Sequence, residues 1–385
     1  MADEGVEIIA GDLLLRPWRA GDSEAVYRAC QDPAIQRWTR VPAPYGPEHA
    51  TQLTTEISPS AWATGTAAPL GVFDAATGEL LGANGIVRIA DGTGEIGYWT
   101  APGARGRGVA AAATRAAATF AFEALAVRRI AWHATVGNHA SRLVALRSGV
   151  RMGGRVRMAG RDPEETVDAW TGTLLPGEVP GGTPERYAPG SRAAKRAAVF
   201  GTAQPTLPGD GVLSGLGPVR ADEIDEVTTA CQDQDSARWT TVPSPYTRAD
   251  AEFYLLRHAP LAWAAGESAV FRIADQHGRY AGTVDLRLPD ADAADDGTAE
   301  VGFLVAPWAR GRGLGTAALR TLSDWAFDAL GLTRVEWRAH LGNEASRRAA
   351  EKAGFVMEGI QRAGCVQRGE RRDAWVAARL ATDPR

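Results

Sequence analysis

The chain of 385 residues is too long for one ordinary domain and long enough for two, each with its own core. Its composition, 45% hydrophobic and 23% charged, is that of a globular protein and includes no apolar run of bilayer-spanning length. A net charge of −4 argues against a nucleic-acid partner, and three cysteines without paired spacing point to a reducing compartment and no metal site.

The acidic start Met1-Ala2-Asp3-Glu4 lacks the basic and apolar parts of a signal peptide, so the expected location is cytoplasmic, with no membrane partner. A short apolar strand is predicted over Leu13 to Arg16 and a helix over Ser23 to Cys30. From there the chain is a pattern met twice. Ala29-Cys30-Gln31-Asp32 returns as Ala230-Cys231-Gln232-Asp233, and Trp38-Thr39-Arg40-Val41-Pro42-Ala43-Pro44-Tyr45 as Trp239-Thr240-Thr241-Val242-Pro243-Ser244-Pro245-Tyr246, both 201 positions later. Glu95-Ile96-Gly97-Tyr98 matches Glu300-Val301-Gly302-Phe303, Asn138-His139-Ala140-Ser141 matches Asn343-Glu344-Ala345-Ser346, and Asp168-Ala169-Trp170 matches Asp373-Ala374-Trp375, now 205 positions later. The extra residues fit a solvated Asp-rich loop at 290–297. Matched order and spacing of this kind mean duplication.

Within the second copy, alternating segments 269–275 and 280–288 read as an antiparallel hairpin, and Glu300 to Val305 as a strand. Leu314, Ala318, Leu322, Trp325 and Ala329 fall at helical spacing, repeated by Val109, Ala113, Ala117, Phe120 and Ala124, and Gly331 reads as a C-cap. The fold class expected is mixed α/β (α+β): two tandem domains, 1–176 and 211–385, each a mixed, largely antiparallel central sheet flanked by helices. Residues 177–210, punctuated by Pro-Gly and Gly-Gly and carrying Arg192, Lys195 and Arg196, read as a solvated linker.

Arg105-Gly106-Arg107-Gly108-Val109-Ala110 and Arg310-Gly311-Arg312-Gly313-Leu314-Gly315 each join a strand to a helix start. Glycines there let backbone N–H groups crowd one anion, the helix N-terminus adds positive potential, and arginines add charge-assisted bonds. The pattern describes a pyrophosphate cradle. Residues 106–111 also satisfy the dinucleotide fingerprint G-x-G-x-x-A, but that motif belongs in the first βα turn of a parallel sheet, and Thr316 breaks it in the second copy.

With these motifs in view, the sequence resembles the GNAT superfamily of acetyltransferases, whose signature is Q/R-x-x-G-x-G/A. Residues 310–315 fit it fully and 105–110 with Ala110 last. It is similar more narrowly to the branch containing ribosomal-protein N-terminal acetyltransferases, through Trp-Thr-x-Val-Pro-x-Pro-Tyr, Glu-Val-Gly-Phe, and the stretch from Asn343 to Lys352-Ala353-Gly354-Phe355 and Gly359. The resemblance implies acetyl-CoA or another acyl-CoA as co-substrate, with residues 310–316, through Thr316, around its pyrophosphate. It also implies that the backbone at Leu304 and Val305 pairs with the pantetheine arm, and that Asn343 and Ser346, or Asn138 and Ser141, lie near the thioester. Many family members carry a general-acid tyrosine seven residues after this asparagine; here the positions are Ala350 and Ala145. The branch can carry an acidic base nineteen residues after the serine; here stand Cys365 and Gly160.

Direct transfer to an amine needs a proton acceptor. Glu300 and Glu95, on the strands entering the glycine turns, are the candidates, with a structural ion pair as the alternative. Ser346 and Ser141 are candidate proton donors to the leaving thiolate. Trp239 and Tyr246, with Trp38 and Tyr45, are expected to line the acceptor sites, unless one of each pair packs into the core. Cys30 and Cys231 read as core residues, and His340 as a possible support. The acceptor is an amine of a protein N-terminus, a peptide or a small molecule. Two other readings stay open: a noncatalytic acyl-CoA sensor, and an acyltransferase fed by a carrier protein. The second copy is the better preserved, and the two are expected to pair as an intramolecular pseudo-dimer.

Overall fold

Residues 5–160, 167–180, 190–289 and 296–385 are described by a computed structural model. Two compact units divide the chain, Met1–Arg186 and Tyr187–Arg385. Most of the expected Asp-rich loop, 290–295, lies outside the described residues.

In the first unit β1 (Ile8–Ala10) and β2 (Leu13–Arg16) lead into α1 (Ser23–Ala29) and α2 (Pro33–Trp38). Asp32 caps α2, its carboxylate accepting from the Ile35 N–H at 3.0 Å, with Pro33 at the first turn where no N–H is needed. Then come α3 (Pro47–Gln52), a π-helical segment Leu53–Ile57 and α4 (Ser58–Thr64). Strands β3 (Ala68–Asp74), β4 (Leu80–Ala90) and β5 (Thr93–Thr100) form a meander. Next are α5 (Val109–Ala124), β6 (Arg129–Thr135), α6 (His139–Arg147), β7 (Arg151–Val156) and β8 (Ala169–Leu174).

The second unit begins before the expected boundary. Helix α7 (Arg192–Phe200) and strand β9 (Leu207–Pro208) fall inside the stretch read as linker, yet belong to this fold. Phe200 packs on Trp263 with ring centroids 4.6 Å apart, Arg196 donates to the Gly266 and Pro289 carbonyls, and β9 pairs with the next strand. Glycine and proline punctuation masked a short amphipathic helix whose apolar side is Ala, Val and Phe. Strand β10 (Leu213–Pro218), α8 (Ile224–Gln232), α9 (Gln234–Trp239), α10 (Arg248–Phe253), a π-helical segment Tyr254–His258 and α11 (Ala259–Ala265) follow. Strands β11 (Ser268–Asp275), β12 (Tyr280–Arg287) and β13 (Thr298–Val305) lead to α12 (Leu314–Leu330), β14 (Arg334–His340), α13 (Glu344–Lys352), β15 (Val356–Gln367) and β16 (Glu370–Leu380).

Each sheet has eight strands in the same spatial order, β1-β2-β3-β4-β5-β6-β8-β7 and β9-β10-β11-β12-β13-β14-β16-β15. Neighbours are antiparallel except β5–β6 and β13–β14, which helices α5 and α12 connect as crossovers. In the second unit Val301 is buried, and Phe303 and Val305 lie against Gly315 of α12. Because strand residues alternate faces, Glu300, Gly302 and Leu304 occupy the opposite face.

Candidate functional site

The parallel pairs stop short. On β13–β14 the register runs from Thr298↔Arg334 to Val301↔Trp337 and ends there, although both strands continue. On β5–β6 it ends at Glu95↔Ala131. Beyond these points each pair opens into a V. In the second unit Leu304 and Val305 form one wall, held from behind by Thr283 and Gly282 of β12. A strand edge open on one side invites an extended chain to pair with it.

Immediately after the opening stands the glycine turn. Gly311 and Gly313 have φ of +75° and +80°, and Gly106 and Gly108 of +75° and +78°, conformations that β-carbon-bearing residues rarely adopt. A Cβ built on Gly311 would meet nothing within 4 Å, and one on Gly313 only Val212 at 3.8 Å, so space over the turn is open. Intrahelical bonding starts with the Ala317 N–H to the Gly313 carbonyl at 3.0 Å, leaving the amides of Leu314, Gly315 and Thr316 at the start of a 17-residue helix. These are the orphan donors and dipole end that attract anions. Val109 and Ala110 begin α5 in the same way. Gly315 meets a different demand: its Cβ would stand 3.1 Å from the Phe303 ring, so this position packs helix on strand. The Thr316 hydroxyl bonds back to the Ala349 carbonyl at 3.3 Å.

The leading arginines do other work than expected. Arg310 donates to Asp233 at 2.5 Å and Ser236 at 2.9 Å, and Arg105 to Asp32 at 2.6 Å. Each ties the glycine turn to the acidic cap of a short helix. Arg105 is the main reason that the Asp32 carboxyl lies below its ordinary range. For Asp233, burial pushes upward, but the bonds to Arg310 and the Ser236 N–H leave it lowered. Arg312 donates to the Trp308 carbonyl at 3.0 Å, and Arg107 is exposed.

Asn138 and Asn343 are helix caps, their side-chain oxygens accepting from the Ser141 and Ser346 N–H groups at 3.1 and 3.2 Å. Trp38 and Trp239 lie half-buried beside the same turns, 3.7 Å from Cβ positions built on Gly137 and Gly342. Arg37 and Arg238 stack on them. Tyr45 and Tyr246, by contrast, are buried in the cores with Cys30 and Cys231, and so are the members of each pair that the core takes. Burial pushes the two thiols up to about 12 and about 11, against the pull of the tyrosine hydroxyls, which makes them inert.

A doubled architecture, a splayed parallel pair and a glycine-rich helix start are thus present in each unit. The acetyltransferase (GNAT) domain family matches the sequence twice, over residues 12–151 and 215–356. The chain belongs to the GNAT acetyltransferases. It is similar to two Bacillus subtilis proteins, "Putative ribosomal N-acetyltransferase YdaF", 43% identical over 75 residues, and "Probable N-acetyltransferase YjcK", 38% identical over 86. These matches cover 20% and 22% of this chain, and the chain spans 41% and 48% of the two relatives. Among solved structures, RimJ of Mycobacterium smegmatis in complex with CoA-disulfide is 22% identical, with a TM-score of 0.41, over 46% of this chain and 86% of that one.

The two GNAT units differ around the residues read from sequence as candidate proton donors and acceptors. In the first, the Tyr98 hydroxyl donates to the Ser141 carbonyl at 2.8 Å and accepts from the Ser141 hydroxyl at 3.1 Å and the Trp132 indole at 2.9 Å. In the second, Phe303 replaces Tyr98, and the half-buried Ser346 hydroxyl bonds to no other described residue. Ala145 and Ala350, at the tyrosine position of other family members, are fully buried. Glu95 is 9% exposed and bound by Arg40 at 2.7 Å and Arg88 at 3.5 Å. Glu300 is more open, with Arg287 at 3.0 Å and Arg338 at 3.8 Å.

Sequence reasoning missed Asp285. It stands on β12 opposite Gly302, and Arg287, whose Nε lies 3.1 Å away, bridges it to Glu300. Burial raises its carboxyl to about 6; Arg287 opposes the rise and Glu300 adds to it. Only period-two pairing with the Glu-Val-Gly-Phe strand signalled it. Gln367 and Arg368, at the β15–β16 turn, were missed too; they donate to the Ala237, Arg238, Thr240 and Val242 carbonyls and fasten this hairpin to the end of α9, which carries Trp239, and to the residues that follow. Buried His340 is lowered by desolvation and by Arg372 and Arg368, keeping it neutral near pH 7. Among the described residues no His, Cys, Asp and Glu group is placed to hold a metal ion.

Proposed function

We propose that the chain is an acyl-CoA-dependent N-acyltransferase, with acetyl-CoA as donor, and that the second unit carries out the transfer. The observation that carries this reading is the V opening at Val301–Trp337 directly beside the glycine-rich start of α12. Free amides of residues 314–316 fit a pyrophosphate, Arg312 and Arg107 are the remaining loop cations, and the β13 edge at 302–305 fits the amide-bearing pantetheine arm. Holding donor and amine together makes a covalent intermediate unnecessary. When bound, the donor supplies an acyl thioester. The protein orients it along β13, excludes water with Trp239 and the β15–β16 hairpin, and moves protons. Glu300 and Glu95 are the acceptor candidates read from sequence, and Ser346 is the freer donor.

The acceptor is an amine. The name of the relative YdaF adds ribosomal-protein N-termini to a panel of peptides and small amines. Calorimetry of the full chain with acetyl-CoA, and thiol release with that panel, test the reading. Binding with thiol release and a mass gain on one amine supports it. Binding without turnover on any amine makes the chain an acyl-CoA-binding protein, and no binding removes the cradle assignment.

A further inference from the structure

Gly302 is the first residue of β13 beyond the last pair with β14. The β12–β13 register sets Asp285 directly opposite it. Gly302 has no side chain, so Arg287 and Asp285 both come close to the strand: a Cβ there would stand 2.7 Å from Arg287 Nη2 and 3.0 Å from Asp285 Oδ1. This is the apex of the V, on the face of the sheet away from α12.

The surroundings poise the carboxylate. On β11, Val270 lies opposite, with the Arg272–Glu223 pair one step along the face. From the π-helical segment comes Tyr254, whose hydroxyl is pushed up first by burial and then by the negative charge of Asp285. Arg287 pairs with Asp285 but shares itself with Glu300, which Arg338 also approaches. Glu300 therefore has two arginines beside it, while Asp285 shares one.

The first unit shows what is missing without this group. By the same register its β4 carries Ala83 for Thr283 and Gly85 for Asp285, and its π-helical segment starts with Leu53 in place of Tyr254. The arginine beside the glutamate survives as Arg88, but no carboxylate faces Gly97.

Resting on the acyltransferase reading, we infer that Asp285 is the general base of the second unit and that Glu300 positions Arg287 beside it. An ammonium proton of the acceptor passes to Asp285 Oδ1 and on to solvent. The neutral nitrogen forms the C–N bond at the thioester carbon as the C–S bond breaks, its electron pair staying on sulfur. The sulfur takes a proton from the Ser346 hydroxyl, and the nitrogen's second proton restores that hydroxyl. A base titrating near neutrality suits this task.

The test compares Asp285→Asn with Glu300→Gln in the full chain. Asp285→Asn is expected to lower kcat about 10²- to 10³-fold and to abolish the acidic limb near pH 6, with acetyl-CoA affinity by calorimetry unchanged. Glu300→Gln should cost less than about tenfold and move the limb to lower pH, because a like charge leaves and Arg287 is released to Asp285. Carboxyl ¹³C NMR without acetyl-CoA should show a resonance with a midpoint near pH 6 that Asp285→Asn removes. A limb retained in Asp285→Asn, or no such resonance, overturns the assignment. Absence of acetyl-CoA binding in the wild-type chain would instead bring down the acyltransferase reading and take the base with it, an outcome calorimetry separates from the other two.

Discussion

Placing a tyrosine at Phe303 would rebuild in the second unit the contact that holds Ser141 in the first. The Trp337 indole N–H, like the Ser346 hydroxyl, bonds to no other described residue, so a hydroxyl carried by Phe303→Tyr has two neighbours to engage. A neutral hydrogen bond nets about 1 kcal/mol, so the substitution should stabilise the fold by about 1–2 kcal/mol. The same bond must break before Ser346 can protonate a thiolate. At about 1.4 kcal/mol per factor of ten, that lowers kcat about 5- to 10-fold. Single-turnover thiol release at saturating acetyl-CoA measures the loss, with thermal unfolding as the fold control. A variant that is more stable but keeps wild-type kcat would refute Ser346 as the proton donor. One that is less stable would show that the packing of Phe303 against α12 leaves no room for the hydroxyl.

The converse, Tyr98→Phe, leaves the Trp132 N–H and the Ser141 hydroxyl without their partner and should destabilise the first unit by about 1–3 kcal/mol, read by denaturant unfolding of the full chain. Gly313→Trp should abolish acyl-CoA binding and turnover in the second unit, whereas Gly108→Trp should only reduce turnover; the reverse order in calorimetry and thiol release would make the first unit the working one. Asp233→Asn should cost about 1 kcal/mol at pH 7, discounted for the part-exposed Arg310, with no direct loss of phosphate contacts. Because folding lowers the Asp233 carboxyl below its ordinary value, this contribution is present above about pH 4 and vanishes as the carboxylate protonates in more acid solution. Unfolding curves of variant and wild type should therefore converge at low pH.

Duplication made most of the fold legible, because repeats at fixed offsets mark units before any strand is assigned. The glycine turns, α5, α12 and the β11–β12 hairpin stood out by period and punctuation alone. What resisted reading depended on contacts far apart in sequence. That Arg310 also ties the glycine turn to Asp233, 77 positions earlier, shows only in the folded chain. Tyr246 looks like an aromatic gate until the core closes over it. Asp285 is one acidic residue in a strand, and only register against β13 brings it to the apex of the V. Helix α7 hid among prolines and glycines because its apolar side is short and its partners, Trp263 and Gly266, come over sixty residues later.

Gly85 has φ +143°, and a Cβ there would stand 2.3 Å from the Ala68 carbonyl oxygen. A single Gly85→Asp change would set side chain against backbone, so strands β3 and β4 would have to shift together to admit it. The two repeats therefore differ at this register position in backbone as well as in side chain: Asp285 sits in ordinary extended conformation, and a carboxylate can enter β4 at Gly85 only if the strands move with it.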